Sequence, residues 1–304
     1  MRIVSLLPSA TEIVYALGLG DDLVGVSHDC DHPADVARKP RLSVAVVDPA
    51  WPQDRIDAVI RGKLKSGESV YGIDGDRLRE LAPDLVLTQA LCAVCAPSTG
   101  LVEEAAKSLA GRVRVESLEP ERLEGVLENV ARVGELTDRE SLAADVIEGL
   151  RLRADHVRRL VAGAPRPRVA CIEWYDPVMN AGHWVPDQVE VAGGEEVLAR
   201  PGERSRAVEW TAVVAARPDV LVLMPCGFGV DRAAADLPRL SGRPGWGGIP
   251  AVRAGRVYAV DGSAYFNRPG PRLFTGIEIL AEILHPEVFA GTAPPEAWRR
   301  VLSV

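Results

Sequence analysis

The stretch Arg2–Gly18 constrains the fold most. Arg2–Leu7 is an apolar run long enough for one buried strand. Pro8 stops it, because proline cannot donate to a ladder. Ser9 or Thr11 is then placed to cap a helix with Ile13, Val14 and Leu17 on one face. A chain that opens strand, tight turn, helix reads as an open α/β sheet, in which ligands bind at the carboxyl ends of the strands.

The same alternation recurs along the chain. Strands are expected at 22–27, 85–88, 113–116, 169–173, 220–223 and 257–260. Helices are expected near 55–64, 76–82, 98–110, 187–193, 211–216 and 273–284. Residues 34–69 otherwise read as irregular, and 174–179 and 263–272 as loops. Between the halves, 120–136 carries apolar residues at Leu123, Val126, Leu127, Val130 and Val133. Thr137-x-x-Glu140 has the form of a capping box, and the helical pattern then runs to about Val161. The expected organisation is an α/β lobe over 1–119, a connecting helical region over 120–162 and a second α/β lobe over 163–304. Leu81-Ala-Pro-Asp-Leu-Val-Leu87 and Ala216-Arg-Pro-Asp-Val-Leu-Val222 share a helix, Pro-Asp turn, strand design, so the lobes look related.

Composition narrows the function. The chain has 304 residues, 47% of them hydrophobic, enough for two cored domains. Its net charge is −8 with no Lys/Arg block, which argues against a nucleic-acid or anionic-membrane partner. No run approaches the roughly 20 apolar residues of a membrane span. No signal peptide precedes the first strand, so a cytoplasmic location is expected, with an exported protein the alternative if the start is mis-called.

Several loops after strands carry chemistry. Ten of the fifteen aromatic residues fall in loops or at element edges: Trp51, Tyr71, Trp174, Tyr175, Trp184, Trp210, Phe228, Trp246, Tyr265 and Phe266. Flat faces there suit a large, partly planar ligand, while the plainer role is to pin loops to the body. His28-x-Cys30-x-His32 and Cys92-x-x-Cys95 each follow a strand of the first lobe. They could hold zinc or iron, form a redox dithiol, or be small buried residues. Cys171 lies inside a strand and reads as core. His183 could be oriented by Glu173 or Asp187, but no nucleophile is placed, and no nucleotide-binding glycine motif is present.

Arg2–Glu12, Leu23-Val-Gly-Val-Ser27, Ala82–Leu87, Glu190-Val-Ala-Gly-Gly194 and Arg268-Pro-Gly-Pro-Arg272 resemble, in order and nearly end to end, the helical-backbone substrate-binding proteins of ABC importers for vitamin B12, haem and iron-siderophores. The B12-binding members are the most similar in pattern. The resemblance implies two Rossmann-like α/β lobes joined by a single long backbone helix, with the ligand in the cleft between them. It implies ligand contacts at Pro8, Ser9, Ala10, Tyr71, Trp174, Tyr175, His183, Trp184, Tyr265, Phe266, Asn267 and Arg268, and Phe228 joins them as a loop aromatic. The chain departs from exported members in its start and in its Cys and His pairs, which resembles a cytoplasmic branch.

The expected function is therefore non-enzymatic: a monomeric binding protein for a corrinoid or related metal chelate. Arg268 and Arg272 would meet ligand carboxylates, amides or phosphates. His28, Cys30, Cys92 and Cys95 are the candidate metal ligands. The alternatives are a zinc or iron ion site on those residues, an importer component served by an ABC permease, and a corrinoid- or thiol-dependent enzyme.

Overall fold

The computed structural model describes residues 1–66, 68–89 and 113–302. By contacts the chain forms two compact units, one of 1–120 and 125–147, the other of 121–124 and 148–304. Two of the three crossings lie inside helices Leu123–Leu136 and Glu140–Leu160. The second helix has 21 residues and spans about 32 Å.

The first unit is built on strands β1 (Ile3–Ser5), β2 (Leu23–Val26), β5 (Leu85–Thr88) and β6 (Arg114–Ser117). They form a parallel sheet in the order β2-β1-β5-β6. A separate antiparallel pair joins β3 (Ser43–Ala45) to β4 (Tyr71–Ile73). The sequence hides that pair, because each strand has three residues and a long insertion separates them. The core gathers Ile3, Ile13, Val14, Leu85 and Leu87 with Val130, Val133 and Ala143.

The second unit holds β7 (Arg168–Tyr175), β8 (Val178–Asn180), β9 (Glu195–Glu196), β10 (Val220–Leu223), β11 (Val257–Val260) and β12 (Trp298–Arg300). The sheet runs β12-β11-β10-β7-β8, with β9 also on β7. β7, β10 and β11 are mutually parallel, and β8 and β12 are antiparallel edges. Every residue of β10 and β11 is buried, as expected of parallel strands covered on both faces. Beneath them Trp210 and Trp246 stack at 6.1 Å.

The repeated Pro-Asp design has one structural purpose in both units. In the first, Arg2 N donates to Asp84 Oδ2 (2.7 Å), Asp84 N donates to Arg2 O (2.8 Å), and Arg2 Nε reaches Leu81 O (2.8 Å). In the second, Arg168 N donates to Asp219 Oδ2 (2.9 Å), Asp219 N to Arg168 O (2.8 Å), and Arg168 Nη2 to Ala216 O (3.0 Å). Ala82 and Arg217 end the preceding helices in the left-handed region, at φ 40° and 46°. Each first strand is thus tied at its start to the turn that launches its neighbour.

Two capping expectations are corrected. Helix Pro8–Ala16 starts at Pro8 itself, whose fixed φ suits the first helical position and which has no N–H to satisfy. Leu7 takes the cap position, and Ser9 and Thr11 lie inside the helix. Thr137 Oγ1 donates back to Val133 O (2.7 Å), so it closes the helix before it rather than starting the one after.

Candidate functional site

In each sheet the strand order reverses beside the first strand, between β1 and β5 and between β7 and β10. The carboxyl edge at such a point is where open α/β sheets bind ligands. The two edges are built differently.

In the first unit, Pro8, Ser9 and Ala10 are buried at the start of their helix. A seam of small polar groups lies beneath: Thr11 Oγ1 donates to Ser5 Oγ (2.9 Å), and Cys30 Sγ lies 3.1 Å from Thr11 Oγ1 and 3.2 Å from Ser27 Oγ. The Cys30 thiol is therefore buried among hydroxyls. The His28 ring takes another course, with Nδ1 2.8 Å from Ser43 Oγ and the ring 5.4 Å from that of Tyr71. Burial is the main cause that lowers the His28 pKa; Arg41 also lowers it and Asp29 opposes. Among the described residues no group of three or more His, Cys, Asp or Glu is arranged to hold a metal. Cys92 and Cys95, and the helix expected at 98–110, lie outside the described residues.

In the second unit β7 runs two residues further than expected, so Trp174 and Tyr175 are strand residues paired with β8. Tyr175 is fully buried and donates from its hydroxyl to Ala233 O (2.9 Å). Trp174 stays partly exposed and stacks on Phe228 at 5.7 Å, and Arg232 lies over the Phe228 ring at 4.7 Å. Residues 262–265 form one helical turn instead of a loop. Trp184 Nε1 donates to Phe266 O (2.7 Å), and both rings are buried. Tyr265 is half-buried, with the Arg272 guanidinium 5.8 Å from its ring centre. Arg268 is also partly exposed.

Six of the ten expected loop aromatics are therefore buried: Tyr175, Trp184, Trp210, Phe228, Trp246 and Phe266. Tyr175 and Trp184 donate from their polar atoms to backbone carbonyls, and Trp210 and Trp246 belong to the core of the second unit. Tyr71, Trp51, Trp174 and Tyr265 keep exposed surface.

His183 stands at φ 53°, with its N donating to Glu203 O (2.6 Å) and its O accepting from Gly202 N (2.9 Å). Nδ1 is buried without a hydrogen-bond partner. Burial, aided by Arg204 and opposed by Glu121, lowers its pKa and favours the neutral ring. Neither expected orienter serves it. Asp187 accepts from Arg122 Nε (3.2 Å) and from Leu123 N (3.1 Å), capping helix Leu123–Leu136 from a distant segment. Glu173 Oε2 accepts from Ser205 Oγ (2.7 Å). Burial raises the Glu173 pKa to about 7, with the Ser205 bond opposing. Glu196 rises to about 8 by burial, partly offset by bonds from the Leu198 and Cys171 backbone.

Sequence reasoning missed the residues that carry these loops. Gln188 Nε2 donates to Tyr265 O (3.2 Å) and Leu273 O (2.8 Å). Gly276 comes so close to Tyr265 O and Gln188 Nε2 that a Cβ there would strike both. The signal available for Gly276 was a glycine inside an amphipathic helix, which marks a close approach.

The family described as periplasmic binding protein matches residues 3–264. An uncharacterised ABC transporter substrate-binding lipoprotein, YvrC of Bacillus subtilis, is 28% identical over 95% of this chain and 81% of its own length. A vitamin B12-binding protein of Vibrio parahaemolyticus is 24% identical over 91% of this chain and 86% of its own. Among solved structures, a periplasmic heme-binding protein from Pseudomonas aeruginosa aligns with a TM-score of 0.69 and 21% identity, over 94% of this chain and 93% of that one. The expectation of a cytoplasmic protein is overturned: one relative is a lipoprotein and another is periplasmic. That expectation leaned on the first residue of the sequence, which does not decide where a protein resides.

Proposed function

The chain belongs to the periplasmic binding protein family, and on that premise we propose that it is the ligand-binding component of an ABC importer for a corrinoid of the vitamin B12 type. It is a binding protein and not an enzyme, like the substrate-binding relatives it matches along their length. The observation that carries the ligand class is the set of partly exposed aromatic side chains at the strand ends. Trp174 lies stacked on a buried Phe228, and Tyr265 is braced by Arg272. Rings fixed from behind present a flat face at little entropic cost, which suits the planar core of a corrinoid. Arg268 and Arg272 supply cationic donors for amides and the phosphate of such a ligand. The membrane partner is an ABC permease.

Isothermal titration with cyanocobalamin, dicyanocobinamide, haemin and a ferric siderophore tests the reading. Saturable binding of a corrinoid, tighter than of the others, is the expected result. Trp174→Ala removes one stacked face and should weaken cyanocobalamin binding about tenfold, equivalent to ~1.4 kcal/mol. Binding of haemin or the siderophore alone would assign the protein to another ligand class.

A further inference from the structure

The loop that carries His183 and Trp184 is held by a short chain of groups ending in a carboxyl. Gly182 N donates to Ser205 Oγ (3.0 Å), and Ser205 Oγ donates to Glu173 Oε2 (2.7 Å). Gly182 also packs directly on the backbone of residues 203–205, where a Cβ would collide. The next residue, His183, is held through both its N and its O in the left-handed region, which is uncommon for a residue with a side chain. Glu173 sits at the carboxyl end of β7, and its own O accepts from Cys226 N (3.0 Å) in the loop after β10. Glu173 is the one titratable member of this chain of groups.

We propose that Glu173, acting through Ser205, is a proton-operated positioning residue for the Gly182–Trp184 loop: protonated, it keeps the loop seated, and on losing its proton it lets the loop go. The consequence for binding rests on the function proposed above; the latch itself does not.

The direction follows from linkage. Burial lifts Glu173 from its ordinary 4.5 to about 7 in the packed arrangement. A group that holds its proton more tightly when packed makes the packed arrangement more stable when protonated. Its contribution is fully present below 4.5 and is lost as pH rises through about 7. An oxygen–oxygen distance of 2.7 Å suits a hydrogen bond with either atom as donor, so protonation reverses the donor without moving the heavy atoms. The titratable and charged groups on the surrounding segments are His183 on the loop, Glu203, Arg204 and Arg206 beside Ser205, and Cys226 after β10. His183 titrates in the opposite sense, because burial lowers its pKa.

The test needs no ligand. In 15N-labelled protein, the Gly182 amide shift and its hydrogen exchange, corrected for the intrinsic rate, are followed from about pH 5 to 9. The Gly182 resonance should titrate with a midpoint near 7, and its protection should fall about tenfold or more between about pH 5 and 7 and level off above that. Glu173→Gln, neutral at every pH, should keep the protection and remove the midpoint. His183→Gln should leave the midpoint in place. A wild-type amide without a midpoint near 7, or one that survives Glu173→Gln, would overturn the latch. A second arm measures cyanocobalamin affinity at pH 6 and 8. Wild type should bind about fivefold more weakly at pH 8, and Glu173→Gln should not change. Affinity independent of pH beside a titrating amide would overturn the loop's part in binding. Failure to bind any corrinoid would remove the ligand reading and leave the amide result standing.

Discussion

Trp184 and Tyr265 show how one residue class divides at this edge. Trp184 is buried with its indole N–H satisfied, whereas Tyr265 keeps exposed surface. Truncating a buried Trp or Phe leaves a cavity and costs roughly 3–5 kcal/mol. Phe266→Ala should therefore lower the unfolding free energy by about that amount in a denaturant titration, while Tyr265→Ala should change it by less than ~1 kcal/mol and weaken ligand binding instead. Asp187→Ala should cost about 1–2 kcal/mol, because it removes a helix cap together with an ion pair to Arg122. These differences were not legible in the sequence. Both are aromatic residues at the edge of an element, and nothing local to Trp184 announces that its indole meets the Phe266 carbonyl, 82 residues away. The Asp187 cap joins residues 64 positions apart, which no local pattern can announce.

Elements buried on both faces were the legible part. Leu85–Thr88, Val220–Leu223, Val257–Val260 and helix Leu273–Leu284 stand where their apolar runs and periodicity put them. The ends escaped. β7 continues through Trp174 and Tyr175 because β8 pairs with it, and the partner strand is invisible from β7 alone. The Pro-Asp echo was legible as a turn, but its purpose depends on Arg2 and Arg168, each more than 50 residues from its aspartate. If the two ties are equivalent, Asp84→Ala and Asp219→Ala should each cost about 1 kcal/mol, the usual net value of such a hydrogen bond. Thermal unfolding of the two variants checks this, and a several-fold difference would mean that the units use the same turn for different ends.

For the whole molecule, the shifted groups set how stability depends on acidity. Glu173 and Glu196 have raised pKa values, so their contributions are complete below 4.5 and decline as pH rises through about 7 and about 8. His28 and His183 are lowered, so theirs are complete above 6.5 and decline in acid. The opposing trends overlap below neutrality, and only the carboxyls act above it. The melting temperature should therefore fall between about pH 6.5 and 8 and level off above that, and Glu196→Gln should lessen the fall. Two α/β units and a binding role were legible because the matching segments run nearly the whole chain. Location was not, since nothing in a folded domain's residues records its address.

Gly276 extends this in one further direction. The helix Leu273–Leu284 touches the Tyr265 carbonyl only because position 276 carries a hydrogen where every other residue carries carbon. Placement of an aromatic contact is thus delegated to a site that no ligand need touch. A methyl group at 276 would act as a shim, shifting Tyr265 without altering its chemistry. Related chains could retune how they grip a flat molecule by changing residues behind the contact surface, leaving the surface itself untouched.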